Sequence, residues 1–216
     1  SNRRLNAANS LSHSVLPLTH AQYGASLGGP VVKDRTFYFA NAEGRALNQS
    51  GLITIAPANV TAINNRLTAV GYRGPLISTG LYPNPVHNAN VLAKVDHQWS
   101  AKDQFSARYS LYEVHSRNSR GAGALNAASA SAGLDNTDQT IALSNIATIT
   151  PAMVNETRGQ FTHSDLAAPP ADPVGPAVSI SGVASFGTLS GSPTGDRKST
   201  RLNSSHTDIS RMPSSA

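Results

Sequence analysis

Three groups of residues have the types and spacing for chemistry. The first is Gly24-Ala25-Ser26-Leu27-Gly28, which fits G-x-S-x-G, the nucleophile elbow of the α/β-hydrolases. That elbow needs a helix to begin directly after the serine, so that Oγ stands clear of the sheet. Gly28-Gly29-Pro30 and two valines follow instead, a run hostile to helix. A Gly-rich strand that bends where backbones approach closely fits better; the hydrolase stays as a rival, predicting ester turnover lost in Ser26→Ala. The second group is histidine. There are seven, none at H-x-x-x-H or H-E-x-x-H spacing, and His97 falls on an apolar face beside Trp99, a place for an interface residue rather than a metal ligand. The third group is Lys94, Asp96, Gln98, Arg108, Glu156 and Arg158, on the polar faces of alternating segments. They read as the lining of a hydrated interior, with direct contact to a solute as the sharper alternative. No catalytic residue, cofactor or metal is assigned, and the chain is read as no enzyme.

Composition narrows the classes further. Charged residues are 13% of the 216 and hydrophobic ones 39%, against about 25% and about 45–50% in ordinary globular domains. Ser, Asn, Thr, Ala and Gly fill the difference: too apolar for a solvated disordered chain, too polar for a helical membrane protein. Cysteine is absent, which removes disulfide frameworks, zinc ribbons and thiol catalysis. The sequons at Asn59 and Asn155 carry no weight without a eukaryotic secretory context. The net charge of +5 invites a nucleic-acid reading, but part of it sits in an odd tail. Residues 196–206, DRKSTRLNSSH, and 210–216, SRMPSSA, back-translate into the two sides of a common short-read sequencing adapter, with Thr207-Asp208-Ile209 leaving room for an index. Residues 196–216 are therefore expected to be translated adapter, irregular and packed against nothing; a buried strand continuing the sheet would count against this. Without them thirteen basic and ten acidic residues remain, a net of +3, and no nucleic-acid partner is expected. The start, SNRRLNAAN, has neither an initiator Met nor a signal peptide, so an internal fragment is expected.

The elements that position these residues show two-residue periodicity. In Asn90–Trp99, Val91, Ala93, Val95, His97 and Trp99 share one face, opposite Asn90, Leu92, Lys94, Asp96 and Gln98. In Gln104–Tyr112, Phe105, Ala107, Tyr109 and Leu111 oppose Gln104, Ser106, Arg108 and Ser110. Half-buried strands read this way. The polar turn 100–103 joins them as an antiparallel hairpin. The pairs 22–32/36–46 and 140–149/154–163 make two more, the first running on as far as Ile55. Asn145 and Gly159 interrupt the third, and the outward face of 36–44 stays open between Phe37/Phe39 and Tyr38/Ala40. Long connections follow each hairpin: 56–85 with a helical patch over 59–70, 117–136, and 167–195.

Short turns alternating with long loops, on strands of about ten residues that are apolar on one side, is the pattern of outer-membrane β-barrels. No run of about 20 apolar residues offers a helical span. Val91, Val95, Trp99, Phe105, Tyr109 and Leu111 are then the candidates for lipid contact, with Trp99 and Phe105 in the aromatic girdle beside the short turn. A water-soluble sandwich would show the same alternation, so periodicity alone leaves both open.

Two segments separate them. QYGASLGGPVVKDRTFYFANAEGR (22–45) and KVDHQWSAKDQFSARYSLY (94–112) resemble the start of the barrel in TonB-dependent outer-membrane receptors, specifically the Oar-like group. Val154-Asn155-Glu156-Thr157-Arg158 resembles a further strand start. The likeness spans roughly residues 20–165; the regulatory domain, the TonB box, most of the plug and the later strands have no counterpart. It implies an all-β fold of antiparallel up-and-down strands forming part of a transmembrane β-barrel. Residues 1–19 would be the end of the plug or its linker, and 20–195 the first six or so barrel strands. It also implies residence in the outer membrane of a Gram-negative bacterium, contact with its lipid, and import of a large unknown solute powered through TonB. The rival class is a soluble or surface-attached adhesion or glycan-binding module, which would dissolve without detergent.

Overall fold

The computed structural model describes residues 7–8, 15–189 and 197–211. Six long strands lie in three hairpins: β1 (Leu18–Val32) with β2 (Thr36–Ile53), β4 (Val86–Ser100) with β5 (Asp103–Arg120), and β6 (Ala132–Thr150) with β7 (Met153–Ala167). Short strands β3 (Gly80–Pro83), β8 (Val178–Ile180) and β9 (Ala184–Phe186) and helix α1 (Pro57–Ala69) lie in the connections, and β10 (Arg197–Arg211) follows. One antiparallel sheet runs β1-β2-β4-β5-β6-β7-β10, with β3 on the far end of β2. It does not close among the described residues. The fold is all-β and up-and-down, part of a transmembrane barrel, with the three hairpins adjacent in chain order.

The turns are as short as their sequences imply. Lys33-Asp34-Arg35 closes the first hairpin with Asp34 at φ 59°, a left-handed conformation that Asp tolerates better than most residues. The strands, however, are longer than the alternation suggested. At 15–19 residues and about 3.3 Å per residue they reach roughly 50–60 Å, whereas about 9–11 tilted residues cross a bilayer. The surplus lies at the long-connection end, where the sequence drops its apolar alternation but the backbone ladder continues. This corrects the expected 117–136 loop: β5 runs to Arg120 and β6 starts at Ala132, past a register break between Ser116 and Arg120.

The expectation that 196–216 lies irregular and unpacked is also corrected for its described part. β10 pairs antiparallel with β7 from Arg197↔Leu166 to Arg211↔Met153. The physical reason is the edge itself: β7 presents a row of unpaired N–H and C=O groups, which template any extended chain. Neither alternate set of RKSTRLNSSHTDISR is apolar, unlike those of β4 and β5.

The main buried cluster sits in the connections rather than on the sheet. Ile53, Ile55, Ile77, Tyr82, Ala127, Ala184 and Phe186 are buried together, and Val60, Ile63 and Leu67 of α1 pack on them. Helix α1 occupies the expected patch. It starts with Pro57 at its first turn, where a missing N–H costs nothing. It ends in a Schellman arrangement: Tyr72 N–H donates to the Leu67 carbonyl (2.9 Å) and Gly71 N–H to Thr68 (3.0 Å), with Gly71 at φ 71°. Tyr72 Oη then donates to Asp172 Oδ2. Asp172 is fully buried and its Oδ1 accepts from the Val174 and Gly175 amides at 2.9 and 3.1 Å. Burial first, then the bond to Asp172, pushes the Tyr72 hydroxyl up to about 12. Three connections far apart in sequence thus fold into one cap at the long-loop end of the sheet.

Candidate functional site

Directly paired residues on neighbouring strands project to the same side of a sheet, so the register assigns every side chain a face. Lys94 pairs with Arg108 and Asp96 with Ser106; Ser106 pairs with Ser144, and Ser144 with Arg158. Gln98 pairs with Gln104, Gln104 with Ile146 and Ile146 with Glu156. All six polar candidates therefore share one face. Lys94 Nζ lies 2.8 Å from Asp96 Oδ2, and Arg158 Nε donates to Glu156 Oε1 at 2.7 Å. Both are pairs two residues apart on one strand, half open to water, and such exposed pairs stabilise by little. Arg108 stands directly opposite Lys94 and makes no ion pair among the described residues. Two cations in register repel, so the face carries local positive charge at this row. A groove of about 610 Å³ runs here between Lys94, Asp96, Arg108, Glu156 and Arg158.

The other face collects the apolar candidates. Val91 pairs with Leu111, Ala93 with Tyr109 and Val95 with Ala107; Ile141 and Phe161 continue the Tyr109 row. Trp99 is 62% exposed and Ile141 49%, so no protein among the described residues covers this face. His97 belongs to it as well, its ring edge-on to Trp99 at 4.4 Å and its Nδ1 2.8 Å from Thr36 Oγ1. The register also resolves the open orientation of 36–44. Tyr38 pairs with Val95 and Ala40 with Ala93 on the apolar face, whereas Phe37 and Phe39 pair with Asp96 and Lys94 on the polar one. Alternation within the segment could not decide this, because both of its faces carry aromatics. Tyr23 lies over Gly44 on the apolar face.

Ser26 lies in the middle of β1, paired with Asn41, and strand rather than helix follows it to Val32. Without the turn into a helix its Oγ has no elbow to stand on. Sequence reasoning missed one further polar site. His87, His115 and Asp135 are register neighbours beyond the last apolar row, with His115 Nδ1 3.0 Å and Nε2 3.6 Å from Asp135 and Glu113. They border a cleft of about 680 Å³ walled by Pro83, Pro85 and Pro169. The signal was available: Glu113 and His115 continue the parity of Tyr109 and Leu111.

No curated protein matches the chain, and no solved structure does. A family model described as outer membrane beta barrel domain matches residues 1–69 and 58–212, nearly the whole chain and well into the tail read as adapter. A sheet with one bare apolar face and one charged face, joined by short turns at one end and long connections at the other, belongs to the outer membrane beta barrel domain family, and its place is the outer membrane.

Proposed function

We propose that the chain is a piece of a TonB-dependent receptor-transporter of the Oar-like kind, which imports a large solute across the outer membrane using energy delivered from the inner one. The observation that carries this is the polar face. Lys94, Asp96, Gln98, Arg108, Glu156 and Arg158 lie on one side of strands whose other side is apolar, as a hydrated lumen with a lipid-facing exterior requires. The motifs at 22–45 and 94–112, which resemble the Oar-like group, favour its TonB-coupled members. Val91, Val95, Trp99, Phe105, Tyr109 and Leu111 contact outer-membrane lipid. The piece does no chemistry of its own; its roles are to wall the lumen and, through the loop cap, to shape the outer mouth. The energy-coupling partner acts through segments outside residues 1–216. The test is uptake by cells carrying the full-length gene. Solute accumulation should stop when TonB is deleted or the proton-motive force collapsed, while binding at the surface persists. Accumulation indifferent to both would make the barrel a passive pore.

The same proposal treats residues 196–216 as translated adapter. The ladder from β10 to β7 is made by backbone groups, which carry no sequence requirement, whereas the eleven-residue reading DRKSTRLNSSH is sequence-specific. Long-read sequencing of the source DNA across codons 190–216 decides it: a natural continuation replaces this segment, or the same codons reappear and the adapter reading falls.

A further inference from the structure

Among the described residues one edge of β1 is left unpaired. β1 enters the sheet at Leu18, paired with Gln49 near the far end of β2, and leaves it at Val32 for the three-residue turn. Leu18 therefore lies at the end of the long connections, and Val32 at the end of the short turns. In outer-membrane barrels the short turns are periplasmic, so β1 runs inward and the chain reaches Leu18 from outside. A secreted chain arrives from the periplasm. It gains the outer side only by crossing first.

The edge itself agrees. Edge strands that stay open are blunted with lysine, bulges or brevity. β1, LTHAQYGASLGGPVV, has fifteen residues and no Asp, Glu, Lys or Arg; its proline and its register break, at Pro30–Val32, lie at the turn end and leave Leu18 to Gly29 unblunted. Tyr23, Leu27 and Val31 are 58–66% exposed. An uncharged edge of this length cannot stand in lipid, where every backbone group must be paired.

We infer that β1 is an inner strand of the barrel wall rather than its first, and that an outward-running strand of the same polypeptide, N-terminal to Ser1, pairs along it. Residues 7–8 and 15–17 then belong to an external connection and not to the tail of a plug. The inference rests on the barrel fold and on strand direction, and is independent of whether transport is TonB-driven.

Two experiments on the full-length receptor in its own membrane test it. Single cysteines are clean probes because residues 1–216 contain none. With a membrane-impermeant maleimide on intact cells, Ala8→Cys and the β8–β9 turn variant Ser181→Cys should label, whereas Ala101→Cys and Ala152→Cys should label only after the outer membrane is permeabilised. Labelling of Ala8→Cys only after permeabilisation, together with the turns, overturns the inference. In the second, a photo-crosslinking residue at Gln22 or Leu27 should capture a peptide upstream of Ser1. Capture of the receptor's C-terminal strand instead makes β1 the first strand and overturns it equally.

Discussion

Arginine placed at one depth on the two faces of β5 should separate lipid from lumen by free energy. The face of this strand proposed to point outward carries Phe105, Ala107, Tyr109 and Leu111, and the next residue on it, Glu113, pairs with Thr137. Tyr109 is four residues from both Phe105 and Glu113. Four steps of about 3.4 Å on a strand tilted by about 40° give roughly 10 Å of depth each way. The apolar band is thus about 20 Å tall with Tyr109 at its middle, and Tyr109→Arg should cost about 2–4 kcal/mol. That is a factor of roughly 30 to 1,000 in the folding equilibrium. Val95→Arg, one row nearer the turns (Val95↔Ala107), should cost slightly less, and Phe105→Arg, at the interface, about 0–1 kcal/mol. Ser106→Arg and Gln98→Arg, on the polar face, should cost far less than Tyr109→Arg. Tyr109 Oη also donates to Gln139 Oε1 at 3.2 Å, so Tyr109→Phe measures that loss and is subtracted. The assay is urea titration of the full-length barrel in phospholipid vesicles, read by the gel shift of folded barrel. Equal costs on the two faces, or at Phe105 and Tyr109, would refute the membrane placement of these strands.

The remaining expectations are briefer. Trp99, the single tryptophan, should be quenched more by lipids brominated near the headgroup than by lipids brominated at the chain ends. Tyr72→Phe leaves one oxygen of buried Asp172 without its donor and should weaken the loop cap by about 1–3 kcal/mol, seen as faster amide exchange over 57–82 with the long strands unchanged. Because the Tyr72 hydroxyl is raised from 10.0 to about 12 in the folded cap, its contribution is intact below pH 10 and lost as pH rises from 10 to 12; cap protection flat across that window in wild type would contradict the Tyr72–Asp172 bond. A Cβ at Gly24 would lie 2.8 Å from the Ala42 carbonyl oxygen, whereas at Gly159 it meets nothing within 4 Å, so Gly24→Ala should destabilise folding and Gly159→Ala leave it unchanged or slightly improved. The isolated chain, whose described residues leave two open sheet edges and a bare apolar face, should aggregate on refolding without detergent; a monomeric, cooperatively melting product in plain buffer would contradict that.

What the sequence disclosed and what it withheld divide along one physical line. Where one face meets an apolar medium and the other a polar one, the pleat writes itself into the residues at period two, and Asn90–Tyr112 gave its hairpin, turn and both faces. Where the strands leave the membrane, both sides meet water and selection for alternation ends. The last residues of β5 and the first of β6 carry no such pattern, and only the backbone ladder extends them, to Arg120 and Ala132. The segment 36–44 failed for the opposite reason. Phe37 and Phe39 put aromatic bulk on the polar face, and only pairing with β4, whose faces were unambiguous, fixed the register.

The cap shows the other limit. Its helix was legible because Val60, Ile63 and Leu67 recur at helical spacing, yet nothing local says what they pack on. Ile53, Tyr82, Ala127 and Phe186 come from three connections and meet only in three dimensions. Their burial explains why such long connections survive outside a membrane: each alone would be a costly floppy loop, but together they bury a small core of their own. That core sits at the long-connection end of the sheet, where the proposed barrel has its outer mouth. Under the proposed receptor role, recognising a large solute before moving it calls for such a preformed mouth, because loops that ordered only on contact would spend binding energy on their own entropy.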